Sequence, residues 1–300
     1  MKRLLILVDR LGEKKQFLVD YLQRNFAPGI EVYLSEFSDL AYEVDGKNIN
    51  IEIAKINKNI KDFDLVYFRR AGSKYSISAG NLALCFKRLD IKFFDTGFSN
   101  IGPLGSKFTS YLRLSFTGLP TIPSFFCSQT KINDYKGQIA AKFGLPLVAK
   151  ELGTQRGKGV FLIKNKEGFD NLPKKSKEGR DHEFMFQQFI KSDEEYRILV
   201  LGDKVGSYLR KYRTDPNEFR SNAALGAREE FLDVDKINSD LQEISLKAAK
   251  ELGFEIAGVD VLVDENSKMW LLEVNRGPGL TVGSPEFTSL ASFLEKETKS

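Results

Sequence analysis

Histidine is nearly missing from this chain: His182 is the single one in 300 residues. Zinc sites built on several imidazoles are thereby excluded, and a Ser-His-Asp triad would have to run through the polar segment KEGRDHEF. Cysteine is scarce as well. Cys85 and Cys127 both lie in apolar runs, which suits reduced core thiols and supplies no disulfide framework. No apolar run reaches membrane-spanning length, and MKRLLILVDR meets a charge after five apolar residues, too few for a signal-peptide core. The chain therefore reads as a cytoplasmic protein with no membrane partner. No G-x-G-x-x-G follows the first apolar run either, so the usual dinucleotide reading is absent. Any chemistry must rest on carboxylates, lysines, arginines and backbone amides.

What is present is enough to build a core. With 42% hydrophobic and 29% charged residues the chain is not of the disordered class. A net charge of +4 suits anionic ligands, but the basic residues are spread out. No aromatic-basic platform marks a nucleic-acid binder, and none is expected as a partner. Residues 4–8 and 13–26 form a βα opening. Strands at 31–34, 65–68 and 92–94, a hairpin at 42–53 and a helix at 79–89 complete an α/β unit of Rossmann-like kind over residues 1–100. Gly102-Pro103-Leu104-Gly105 punctuates a boundary. Beyond it the pattern predicts helices at 106–116, 132–143, 237–252 and 285–296. Between them fall strands at 121–127, 147–152 and 183–190, a surface helix and loop at 164–176, and a hairpin turning at Gly202-Asp203. This second region, 101–300, divides into a central part of about 120–190 and a C-terminal part of about 191–300.

The most informative stretch is IAGVDVLVDENSKMWLLEVNRGPGL. It predicts a hairpin of strands 258–264 and 269–275. A regular register sets Asp264 against Met269 and places Val259, Val261 and Val263 on one face with Val274, Leu272 and Trp270. On the other face Asp260 falls opposite Glu273, and Asn275 follows at the period-2 spacing. Like charges directly opposed are destabilising, so either a hard cation sits between them or the face is simply solvated. Lys150 ends an otherwise apolar strand just before Gly153-Thr154-Gln155-Arg156-Gly157-Lys158-Gly159. Three glycines let backbone amides approach an anion, while Thr154, Arg156 and Lys158 add donors; a phosphate clasp and a plain flexible turn both fit. Glu195 and Arg197 share a strand face, Arg210 and Lys211 lie on the returning strand, and Arg220-Ser221-Asn222 follow.

The order of these pieces resembles the ATP-grasp superfamily, and within it the RimK-like carboxylate–amine ligases. The resemblance covers about residues 102–283 and rests on GVDVL…LLEVNRGPGL, VAKELGTQRGKGV and FRSN. It implies a Rossmann-like N-terminal domain followed by a two-subdomain ATP-grasp fold. By that likeness Lys107 and Lys150 would contact ATP phosphates under a lid of Gly153, Thr154, Gly157, Lys158 and Gly159. Gln188, Phe189 and Ile190 would hold adenine through main chain. Glu195 would meet the ribose, and Arg197 beside it is assigned to the nucleotide too. Asp260, Glu273 and Asn275 would hold two Mg²⁺ ions, with Mn²⁺ as an alternative. Arg210, Arg220 and Asn222 would face the γ-phosphate and the acyl intermediate. Arg70, at the end of a core strand, and Arg276 are assigned to the carboxyl substrate; a surface or domain-tying arginine is the competing reading at Arg70. Where the family often reads R-S-N-x-H-R-G-G, this chain has Arg220-Ser221-Asn222-Ala223-Ala224-Leu225-Gly226-Ala227, so a basic pair is lost.

The activity implied is amide or peptide-bond formation through an acyl phosphate, with ADP and phosphate released. The partners are a small-molecule or peptide carboxylate and an amine. Phosphoryl transfer needs alignment and charge neutralisation more than covalent help, so the shortage of histidine is no handicap. A kinase acting on a small molecule and a non-catalytic nucleotide binder are the alternatives. A homo-oligomer is left open.

Overall fold

The opening apolar run becomes the centre of a parallel sheet. The computed structural model describes residues 1–45, 48–72, 75–99, 107–154, 159–173, 183–192, 194–212, 214, 218–220 and 227–299. In it, β1 (Lys2–Val8) lies between β2 (Ile30–Glu36) and β6 (Leu65–Arg70), both parallel to it. The short β7 (Phe93–Phe94) completes the order β2-β1-β6-β7. Leu4 to Val8 are buried on both faces, as a parallel strand covered from two sides must be. α1 (Glu13–Asn25) covers one face and α2 (Ser76–Leu89) the other. The predicted hairpin is present as β3 (Leu40–Asp45) and β4 (Asn48–Ile53), extended by a two-residue β5 (Lys58–Asn59).

Next comes α3 (Lys107–Phe116), then an antiparallel sheet in the order β10-β9-β11-β8. Its strands are β8 (Ser124–Ser128), β9 (Leu147–Glu151), β10 (Val160–Ile163) and β11 (Glu183–Gln188), with α4 (Ile132–Phe143) on one face. Leu147, Ala149, Phe184 and Phe186 pack there against Ile139 and Phe143. Strand alternation turns Val148, Lys150, Met185 and Gln187 the other way. The helix expected within 164–176 is a 3₁₀ turn, Lys166–Asn171.

The third sheet has the order β14-β13-β12-β15-β16. Its strands are β12 (Glu194–Leu201), β13 (Lys204–Tyr212), β14 (Arg228–Leu232), β15 (Ile256–Val263) and β16 (Met269–Arg276), the edge strand β14 having no counterpart in the sequence reading. α5 (Ser239–Leu252) covers one face and is capped at its start by Asn238, whose Oδ1 accepts from the Asp240 and Leu241 amides at 2.9 and 3.2 Å. Ile198, Val200, Val259, Val261, Leu271 and Val274 meet it. The other face carries Leu199, Leu201 and Ile256 in the core shared with the first sheet, and is polar beyond them around Glu195, Arg197 and Asp260.

Two β-bulges set what that polar face carries. In the hairpin β12–β13, Leu199 pairs with Ser207 but Val200 with Val205, leaving Gly206 as the extra residue. A Cβ on Gly206 would sit 2.4 Å from Leu201 Cδ1, so any larger residue there would have to push the Leu201 side chain aside. In β15–β16, Asp260 pairs with Glu273 but Val261 with Leu271, leaving Leu272 as the extra residue. The expected regular register therefore fails beyond Asp260: Leu271, not Leu272, faces the core with Val261, and Val263 meets Met269.

The closing helix α6 (Pro285–Lys299) returns to the first sheet. Phe287, Leu290 and Leu294 are buried in one cluster with Leu4, Ile6, Leu18 and Leu22, and Phe17 and Tyr21 of α1 meet the Phe287 ring edge-on. Each such anchor contributes roughly 1.5–3 kcal/mol. The first and third sheets are also tied directly. The Ile256 amide donates to buried Asp95 Oδ1 at 2.9 Å, and Arg69 Nη2 to the Pro278 carbonyl at 2.7 Å. The polar faces of the second and third sheets open on one space.

Candidate active site

Bulging at Gly206 brings Lys211, not Arg210, opposite Glu195. Lys211 Nζ donates to Glu195 Oε1 at 2.8 Å and to Asp260 Oδ1 at 2.7 Å. Arg197 grips Asp260 with both forks, Nε to Oδ1 at 3.0 Å and Nη2 to Oδ2 at 3.1 Å. Asn275 Nδ2 adds a bond to Oδ2 at 3.0 Å. Each Asp260 oxygen thus accepts two hydrogen bonds, which saturates the carboxylate. Glu273, across the ladder, is exposed and makes no hydrogen bond or ion pair among the described residues.

The electrostatics follow from that packing. Burial alone would raise the Asp260 carboxyl, but Arg197 and Lys211 overturn it and hold it well below the ordinary carboxylate range. Asp260 in return raises Arg197. Lys211 is lowered by burial, but Asp260 and Glu195 more than offset this and raise it. Burial raises Glu195 despite Lys211.

Facing this cluster across a cavity of about 1990 Å³ is Lys150. Its neighbours in the ladder are Val160 and Met185, and among the described residues its ammonium makes no ion pair or hydrogen bond. Solvent still reaches part of the side chain, yet the ammonium sits deep enough that burial pulls it from 10.5 to about 8. Glu273, Glu195 and Asp260 pull upward and Lys107 downward, without reversing that. Lys107, the first residue of α3, lines the same cavity. Beyond Lys150 the chain turns at Gly153 (φ 82°), and Thr154 Oγ1 donates to the Glu151 carbonyl at 2.8 Å. The loop returns at Gly159 (φ 77°), where a Cβ would lie 2.6 Å from Thr154 Oγ1. Gln188, Phe189 and Ile190 leave β11 along the cavity wall, and bulged Leu272 lines it too.

The remaining expected residues divide. Arg70 ends β6 at the cavity and lies near the Asp9 carboxylate. Arg220 lines the cavity, is clamped to Glu218 at 2.8 and 2.7 Å, and reaches the Val160 carbonyl at 3.5 Å. Arg276 stacks on Phe98, 3.6 Å from its centroid, with Nη1 buried and without a hydrogen-bond partner among the described residues. Burial pulls its guanidinium down to about 10. That is a packed position at the junction with the first sheet. Arg210 does not join the site. It lies on the opposite sheet face with Glu194, Glu230 and the Tyr212 ring, because the one-residue bulge reverses which side the returning strand presents. Gly157, Lys158 and Asn222 lie outside the described residues.

Charged cavity residues to which sequence reasoning gave no role include Lys211, Glu229 and Glu286. A charged residue beside Arg210 was visible, but its face depended on the bulge. Glu286 follows Pro285, a helix-start signal that draws attention away from chemistry.

No three His, Cys, Asp or Glu side chains among the described residues gather into a closed metal site. Asp260, Glu273 and Asn275 do fit a Mg²⁺-type ion, which takes one or two carboxylates and completes its shell from phosphate and water. Glu273 is open to it, whereas Asp260 would have to exchange a bond from Arg197 or Lys211. No helix among the described residues is long and apolar enough to cross a membrane.

Comparison with known proteins agrees with this arrangement. The RimK-like ATP-grasp domain pattern matches residues 122–289. A probable alpha-L-glutamate ligase of Cellvibrio japonicus is 34% identical over 163 residues, 52% of this chain and 52% of that protein. Another from Coxiella burnetii is 31% identical over 202 residues, 64% of each. The matched stretch thus spans about half to under two thirds of the curated relatives' length. Among solved structures, the ATP-grasp ligase PsnB, complexed with a phosphomimetic variant of its minimal precursor, Mg and ADP, superposes with a TM-score of 0.69. That likeness covers 98% of both chains at 16% identity, and it establishes a full-length ATP-grasp fold. With more than half its length matched by the family pattern, the chain belongs to the RimK-like ATP-grasp family.

Proposed function

We propose that this chain is an ATP-dependent ligase that joins a carboxylate to an amine through an acyl phosphate. One observation carries the reading: a half-buried lysine with no ion pair among the described residues, Lys150, faces an acidic pair, Asp260 and Glu273, across a single cavity. A polyphosphate with a hard cation answers both charges at once. The glutamate-ligase names of the relatives support an amino acid as one substrate, and the Mg and ADP bound to PsnB support the same cofactors here.

In this reading Lys150 and Lys107 bind phosphate oxygens, and the loop from Gly153 to Gly159 closes over them. Gln188, Phe189, Ile190 and Leu272 border the base, and Glu195 the ribose. Mg²⁺, held by Glu273, Asp260 and Asn275, would neutralise charge on the phosphates. The substrate carboxylate oxygen attacks the γ-phosphorus and ADP leaves. The amine, having given up its ammonium proton, then attacks the acyl carbon, phosphate leaves with the C–O electron pair and takes the remaining surplus proton from nitrogen, and an amide remains. Arg70 is the candidate to orient the carboxylate, since a guanidinium grips it by two parallel bonds. Lys211 takes the position beside the reacting phosphate that Arg210 was expected to fill. Alignment and charge neutralisation supply most of the acceleration.

A screen for ADP release across carboxylate–amine pairs, with mass spectrometry of products, tests this. The expected result is ADP formed only when both partners are present, with an amide product. A phosphorylated product with no amine requirement would refute ligation.

A further inference from the structure

We propose that Glu229 and Glu286 receive the ammonium group of the amine substrate. This deepens the ligase reading and rests on it for what the amine is used for. Glu286 is 2% exposed, yet it lines the cavity. Its Oε2 accepts from the Thr281 amide at 2.8 Å and from Ser284 Oγ at 3.4 Å. Its Oε1 has no partner among the described residues. Glu229, opposite Lys211 in the ladder, lines the same cavity and forms no ion pair among the described residues. The two carboxylates are close enough to repel each other. Arg197, the cation that both feel, has Nε and Nη2 committed to Asp260.

Two carboxylates that line one cavity, with oxygens unmatched among the described residues, call for a cation. They are too few for a protein-held metal, and no third acid joins them among the described residues. A primary ammonium offers three donors and no acceptor, which matches the pair. Burial raises the Glu286 carboxyl, and an arriving cation would offset that. Capping the first turn of α6 is the plain alternative for Glu286, since a carboxylate is favoured there. That role uses Oε2 alone and leaves Oε1 and Glu229 unexplained.

The test titrates 1,4-diaminobutane into the full chain without nucleotide, following Tm and calorimetric heat, with 1,4-butanediol as the uncharged control and MgCl₂ as the metal arm. Saturable stabilisation by the diamine alone is expected. Glu286→Gln and Glu229→Gln should each weaken it about tenfold, the loss of one charge-assisted bond. Glu229→Gln lies on β14, away from the helix start, so it answers even if Glu286→Gln disturbs α6. Equal response to butanediol, retained diamine affinity in both variants, or Mg²⁺ binding lost in the same variants would each overturn the assignment. ATP binding measured on the same samples separates the two readings. A parent chain that binds ATP but not the diamine removes this inference alone, and one that binds the diamine but not ATP removes the ligase reading alone.

Discussion

Lys150 and Asp260 face the same cavity from different sheets, and the fold houses them in opposite ways. Asp260 is wrapped: Arg197, Lys211 and Asn275 fill its lone pairs, and its charge is more than compensated. Lys150 sits in an apolar strand with no ion pair among the described residues, at a cost visible in its lowered basicity. An acid whose charge is already met serves the fold as well as the site. A lysine whose charge is unmet serves the fold poorly and must answer to a ligand. The contrast also separates Asp260 from Glu273, its neighbour across the ladder, which is exposed and makes no hydrogen bond or ion pair among the described residues.

The largest expected effect breaks the wrapped side. Asp260→Asn takes the carboxylate from half-buried Arg197 and leaves buried Lys211 with Glu195 alone, so urea denaturation should show a loss of about 3 kcal/mol along with the loss of ATP turnover. Glu273→Gln should abolish turnover equally while leaving the denaturation midpoint nearly unchanged. If both variants unfold alike, the wrapping of Asp260 is not a stabilising device.

Smaller is the effect at the loop beside Lys150. Gly159→Val forces a β-branched residue to positive φ and against Thr154, a strain of roughly 1–3 kcal/mol. Steady-state kinetics should show reduced kcat with a smaller change in Tm than Asp260→Asn gives. An unchanged kcat would remove the loop from the catalytic cycle.

The mildest change is pH. Because Lys150 titrates near 8, raising pH from 7 to 9 should weaken ATP binding about tenfold, with proton uptake on binding detectable by calorimetry in buffers of different ionisation enthalpy. For stability the sign is opposite. Between about 8 and 10.5 the unfolded chain holds more protons at this lysine, so its contribution to folding free energy rises with pH. ATP affinity flat from pH 7 to 9 would mean that the lysine keeps its charge through another partner.

Much of this was legible in the sequence. Alternation fixed the Asp260–Glu273 opposition, and the apolar strand before the glycine loop marked Lys150. Two things were not readable. Repulsion across the hairpin suggested a missing cation, but the cations come from β12 and β13, and only the sheet order brings those strands alongside. The bulge residues Gly206 and Leu272 shift register by one, which exchanges Arg210 for Lys211 and Leu272 for Leu271. Bulges are set by packing as well as by local sequence, here Leu201 and α6 against Gly206, and the lone glycine in the returning strand does not say which residue then faces the site.

The central claim is that the unmet charge at Lys150 waits for phosphate. Lys150→Met keeps the volume and removes the charge, so at neutral pH the variant should be at least as stable as the parent. Calorimetric titration of that variant with ATP and with adenosine decides the matter. ATP affinity should fall at least tenfold, the value of one charge-assisted bond, while adenosine binds as before. Equal losses for both ligands, or ATP binding undiminished, would contradict the account.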